Sequence, residues 1–210
     1  AKWGEFDRLA PSLDRYAYIA GHMTMQQVDM IPGEKRIYTV IREPVARLLS
    51  WYEFLSRARR TAMHHYTKDG GAHSFIERCE QVIRSGGSTS HNAWEVTNGL
   101  CRRLHPDATA EAALSVISER NILVMDQATL NEDIHRLAAF AYVTLPPIPK
   151  LNVTREKPAY PASVIERLRE LNAEDIRLTE ALALNKQPST SDLRPSRSEP
   201  RPNPNRTVAA

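Results

Sequence analysis

An apolar run that stops at an arginine and turns at once into a helix limits this chain more than any other feature. Residues 37–41, Ile-Tyr-Thr-Val-Ile, are β-branched or aromatic and nearly continuous. That is the pattern of a strand covered on both faces. Arg42 and Glu43 follow, then Pro44, which suits a first helical position because its missing N–H is not needed there. Val45, Leu48, Leu49, Tyr52 and Leu55 recur at helical spacing and give that helix one apolar face.

The same alternation recurs along the chain. Residues 16–20 read as a strand ending at Gly21-His22, and residues 121–125 as a third strand. Ser74 with Glu77, and Thr129 with Glu132, have the spacing of capping boxes that open two further helices. A long helix is expected over residues 161–184, carrying Ile165, Leu168, Leu171 and Ile176. Short strands alternating with amphipathic helices predict an α/β layer fold with a mainly parallel sheet. Ligands of such sheets bind beyond the carboxyl ends of the strands. Arg42 and His22 both fall at that edge, and Arg42 lies beside a helix N-terminus whose N–H groups could receive a phosphate or sulfate.

The 210 residues suffice for one domain with a tail, and 41% hydrophobic with 25% charged residues is a globular balance. A net charge of +3 excludes a polyanionic or histone-like protein, but it is unevenly spread. Residues 34–60 hold seven Lys or Arg against three Glu. Residues 187–210 hold four Arg against two acids, and five of the 14 prolines. The domain is therefore expected at 1–186, with 187–210 a disordered tail.

Cys79 and Cys101 are too few for a disulfide scaffold and leave either one bridge or two free thiols. Free thiols fit a reducing, cytoplasmic setting. No run approaches a membrane span, and the first residues have neither the basic nor the apolar region of a secretory signal. Neither the P-loop, the dinucleotide fingerprint, His-Glu-x-x-His nor Cys-x-x-Cys occurs. His64, His65 and His73 lack companions at metal-ligand spacing, so no metal is expected. No aromatic and basic pattern suggests a nucleic-acid partner.

Residues 37–56, IYTVIREPVARLLSWYEFLS, resemble the segment of 3′-phosphoadenylyl sulfate (PAPS)-dependent sulfotransferases that holds the donor's 3′-phosphate. The likeness is to the carbohydrate sulfotransferases grouped with heparan sulfate 2-O-sulfotransferase. In that family an apolar strand leads to Arg-Asp/Glu-Pro, and a Ser follows eight residues after the Arg. The resemblance implies that Arg42 and Ser50 bind the 3′-phosphate of PAPS. Gly21-His22 resembles the Gly-His that supplies the family's catalytic base. A histidine, with a pKa near ~6.5, can take a proton from a sugar hydroxyl near neutrality.

Residues 91–101 resemble the family's Asn/Gln-rich helix, and 121–125 its later strand. Residues 150–157, Lys-Leu-Asn-Val-Thr-Arg-Glu-Lys, resemble the loop that closes over the nucleotide. That implies Asn152, Thr154 and Lys157 near the donor, with Lys150 beside them. The implied fold is a P-loop-NTPase-like three-layer sandwich. The implied reaction is sulfuryl transfer from PAPS to a hydroxyl of a saccharide acceptor, without a metal.

The family pattern also begins with a loop like Pro-Lys-Thr-Gly-Gly-Thr-Ser around the 5′-phosphosulfate. Residues 1–15, AKWGEFDRLAPSLDR, contain none. The expectation is thus an N-terminally incomplete domain, either a truncated enzyme or a non-catalytic relative that binds only nucleotide or a protein partner. A kinase of related fold is disfavoured by the absent phosphate loop.

Overall fold

The computed structural model describes residues 3–16, 18–58, 64–68, 70–85, 93–141, 144 and 158–184. These are mostly helical, with a small parallel sheet, which places the chain in the general α/β class. Helix α1 (Trp3–Leu9) runs into a 3-10 turn, Ala10–Arg15, and α2 (Met25–Asp29) follows. Thr24 and Gln27 close a capping box at the start of α2. Strand β1 (Tyr38–Ile41) then leads to α3 (Pro44–Arg57) and α4 (Gly71–Arg84). A 3-10 turn, Ala93–Val96, precedes α5 (Gly99–Leu104) and α6 (Ala110–Glu119). Strand β2 (Leu123–Asp126) precedes α7 (Leu130–Ala141), and α8 (Ala162–Leu171) and α9 (Ala173–Leu184) complete the described chain.

Strands β1 and β2 pair in parallel, Tyr38 opposite Leu123 and Ile41 opposite Asp126. Residues 16–20, expected as a strand, form none among the described residues. Tyr18 instead meets Tyr38 through its side chain: the rings stack with centroids 6.1 Å apart, and the two hydroxyls are hydrogen-bonded. Ala20 and Gly21 offer almost no side chain to pack along a neighbouring strand, so ring contact does not extend into a ladder.

Two helix boundaries also depart from expectation. Helix α4 starts at Gly71, ahead of Ser74, because Gly70 (φ 83) and Gly71 (φ 70) take the left-handed turn that leads in. Ser74 therefore lies inside the helix and is no cap. At the start of α7 the Thr129 hydroxyl donates to Asp133, 2.9 Å away. The helix expected over 161–184 is two helices, broken at Asn172. That side chain is fully buried and donates to Val96 O and Leu168 O at 2.8 and 2.9 Å. An amide that bonds backbone outside its own helix competes with helical continuity.

Two apolar clusters hold these helices. The larger joins Val45, Leu48 and Leu55 of α3 to Phe75, Ile76 and Cys79 of α4 and to Val164 and Leu168 of α8. Trp51 packs edge-on against Phe75, with centroids 5.5 Å apart. The smaller joins Cys101 to Ala110, Ala113 and Leu178. The two cysteines are free and lie in different clusters, so the open alternative of a bridge is closed. Burial pushes the Cys79 thiol up to about 12, and Cys101 rises too, by burial first and then by Asp175. Among the described residues no helix is long and apolar enough to cross a membrane.

Candidate functional site

Two of the expected residues lie on the segment that runs from β1 into α3. Arg42 follows the last residue of the strand, is half-buried, and has no hydrogen-bond or ion-pair partner among the described residues. Ser50 lies six residues beyond Pro44, about 9 Å along the helix, on its exposed side. The end of α3 is not open, however. Glu43 is its N-cap, and its carboxylate accepts from Val45 N at 3.0 Å and also from Ala46 N. This satisfies two of the N–H groups that a helix leaves unpaired. The expectation of free helix N–H groups beside Arg42 is thereby corrected: Glu43 already occupies those of Val45 and Ala46. At the end of β2 the Asp126 carboxylate does the same for the following turn, accepting from Ala128 N at 2.8 Å.

His22 sits on an exposed bend just before the Thr24 cap of α2, as residues 16–20 form no strand among the described residues. It has no hydrogen-bond or ion-pair partner among the described residues, Arg42 and Ser50 included. Asn152, Thr154 and Lys157, with Lys150, lie outside the described residues.

A polar cluster that sequence reasoning missed stands directly behind this helix. Arg47, one turn before Ser50, places Nη1 2.9 Å from Glu95 Oε2. Its Nη2 donates to Glu95 O at 3.1 Å and reaches Asp175 Oδ2 at 3.5 Å. Glu95 also pairs with Arg103, whose guanidinium lies over the Trp94 ring. Asp175 is fully buried and caps α5, accepting from Leu100 N and Cys101 N at 2.9 and 2.8 Å. Asn98 returns the favour: its side-chain oxygen accepts from Glu174 N and Asp175 N at the start of α9. Asn98 adopts the left-handed conformation (φ 46), and Gly99 follows because a Cβ there would stand 2.9 Å from both Arg47 Nη2 and Glu95 Oε2. Asn-Gly is a turn signal in sequence, but nothing local names its partners.

A groove of about 430 Å³ between α4 and α8 is lined by Glu77, Glu80, Glu166 and Glu170 against Arg84 and Arg167. Its acidic balance disfavours an anionic donor, and none of Arg42, Ser50 and His22 lines it. Among the described residues no group of His, Cys, Asp and Glu converges to hold a metal ion. No protein-family model matches the chain, nor does any curated protein or solved structure.

Proposed function

We propose that the chain binds the 3′-phosphate of PAPS at Arg42 and Ser50, as part of a sulfotransferase of P-loop-NTPase-like three-layer architecture. The observation that carries this reading is the corner itself. A half-buried arginine without a partner among the described residues follows a parallel strand, and an exposed serine stands on the next helix. A guanidinium with free donors matches a phosphate dianion by charge-assisted, forked hydrogen bonds. Asn152, Thr154 and Lys157 add nucleotide contacts in this reading.

In the transfer, the bond between sulfur and the donor's bridging phosphate oxygen breaks while a bond to the acceptor oxygen forms. The acceptor proton passes to His22, and 3′-phosphoadenosine 5′-phosphate leaves. The acceptor is a hydroxyl of saccharide class. His22 also favours a second reading, a relative that binds nucleotide without catalysis. A general base is ordinarily oriented by a third group, and His22 has no such partner among the described residues.

Calorimetry with 3′-phosphoadenosine 5′-phosphate tests the site. Binding is expected, weakened at least about tenfold by Arg42→Ala, while adenosine 5′-phosphate binds the variant and the parent chain alike. Equal binding of both nucleotides to the parent chain would overturn the site. Sulfate transfer that is lost in His22→Ala separates the enzyme from the binding relative.

A further inference from the structure

We infer that Arg47 is the positioning residue of this site, setting the rotation of α3 that presents Ser50 to the same phosphate as Arg42. The inference rests on the nucleotide reading of that corner. Arg42 is placed by the strand, since Ile41 before it is held opposite Asp126. Ser50 is placed only by the helix. Val45, Leu48 and Leu55 bury that helix in the larger apolar cluster, but apolar contact is non-directional and tolerates rotation. Side chains stand about 5 Å from a helix axis, so a rotation of about 20° would carry the Ser50 hydroxyl about 2 Å. Displacements of that size are enough to undo a site that depends on fixed geometry.

The Tyr160 hydroxyl, which donates to Glu53, ties the helix further on, while the directional restraint on the first half of α3 is the Arg47 fork. Both terminal nitrogens are committed, to Glu95 Oε2 and Glu95 O and toward Asp175. Those partners are tied in their own right: Glu95 also holds Arg103, and Asp175 caps α5. Gly99 leaves the fork the room it needs, as any side chain there would collide with it. Arg47 and Ser50 are three residues apart and share one side of the helix, so a restraint on the first acts directly on the second. Arg47 does not itself meet the donor in this account. It acts through Ser50.

The test compares 3′-phosphoadenosine 5′-phosphate with adenosine 5′-phosphate on the full chain, by calorimetry. Arg47→Lys keeps the charge but cannot form the fork. It should weaken the 3′-phosphorylated nucleotide on the order of tenfold and leave the other unchanged. Glu95→Gln keeps the hydrogen-bonding shape and should weaken it less, which guards against a variant that fails to fold. Equal weakening of both nucleotides, or none, overturns the inference. So does loss of the fold in both variants, which would make Arg47 a residue of the scaffold alone. A parent chain that does not discriminate the two nucleotides overturns the reading of the site, and this inference with it.

Discussion

The helical half built on α5, α8 and α9 and the corner around β1 are held in opposite ways. In the helical half, distant residues close each other's helix ends: Asn98 caps α9, and Asp175 caps α5. Glu174 adds a bond to Ala110 N at 3.0 Å, at the start of α6. Around β1 the main tie is the backbone pairing with β2, and two side-chain ties, the Tyr18–Tyr38 pair and the Arg120–Asp29 pair nearby, are exposed. Tyr18, Met30 and Val40 remain at least 38% exposed there, whereas the helical half leaves fewer large apolar side chains open among the described residues. The difference teaches that the candidate site lies at a loosely covered corner whose helix is tied by the Arg47 bonds. The Arg47 bonds tie α3 on the side that carries Ser50, and the pairing of β1 with β2 places Arg42.

The sharpest way to break that contrast is to remove Asp175. Asp175→Ala would strip the caps of Leu100 and Cys101 and leave Arg47 short of a partner. Removing one member of a buried ion pair costs about 3–5 kcal/mol. Urea denaturation should show a loss of that order, and a loss under about 1 kcal/mol would mean that water replaces the carboxylate. Gly99→Ala comes next. Its methyl group would press on Arg47 and Glu95, and overpacking of this kind costs about 1–3 kcal/mol. An unchanged denaturation midpoint would show that the fork can retreat.

Alkaline pH sharpens the comparison chemically. Cys79 is fully buried, and its thiol rises from an ordinary value near 9 to about 12. The folded chain therefore holds this proton more tightly than the unfolded one. The resulting stability is complete below about pH 9 and is lost as pH rises toward 12. The loss should be about 1 kcal/mol per pH unit within that window. Cys79→Ala should flatten the slope of denaturation midpoint against pH above 9, and an unchanged slope would assign it to other groups. The smallest effect is expected at the sheet: Val40→Thr, 40% exposed on β1, should shift stability by less than about 0.5 kcal/mol. A loss as large as that of Gly99→Ala would show that this corner is packed after all.

Much of the fold was legible because it is written locally. The strand at 37–41, the helix opened by Pro44 and the strand at 121–125 all appear within a residue or two of expectation. Each depends on periodicity and on one breaking or capping residue. The failures share a cause as well. Residues 16–20 have strand-like composition but join no ladder among the described residues, and a strand exists only as a pair. The break at Asn172 was hidden because the apolar spacing runs straight through it. What ends the helix is a bond from its amide to Val96 O, far away in the chain.

The candidate site divides in the same way. Arg42, Ser50 and His22 were legible as residue types at telling positions, and the closure of the helix end by Glu43 was not anticipated. The residues behind them were invisible. Arg47, Glu95, Asn98 and Asp175 are separated by up to 128 positions, and a charged residue on a helix ordinarily reads as solvent-facing. The sequence by itself determined the strand–arginine–helix corner, because period, proline and cap act over a few residues. Only the tertiary structure decided which polar groups meet behind it. A hydrogen bond needs its partner within about 3 Å, and no local pattern states which distant residue will arrive there.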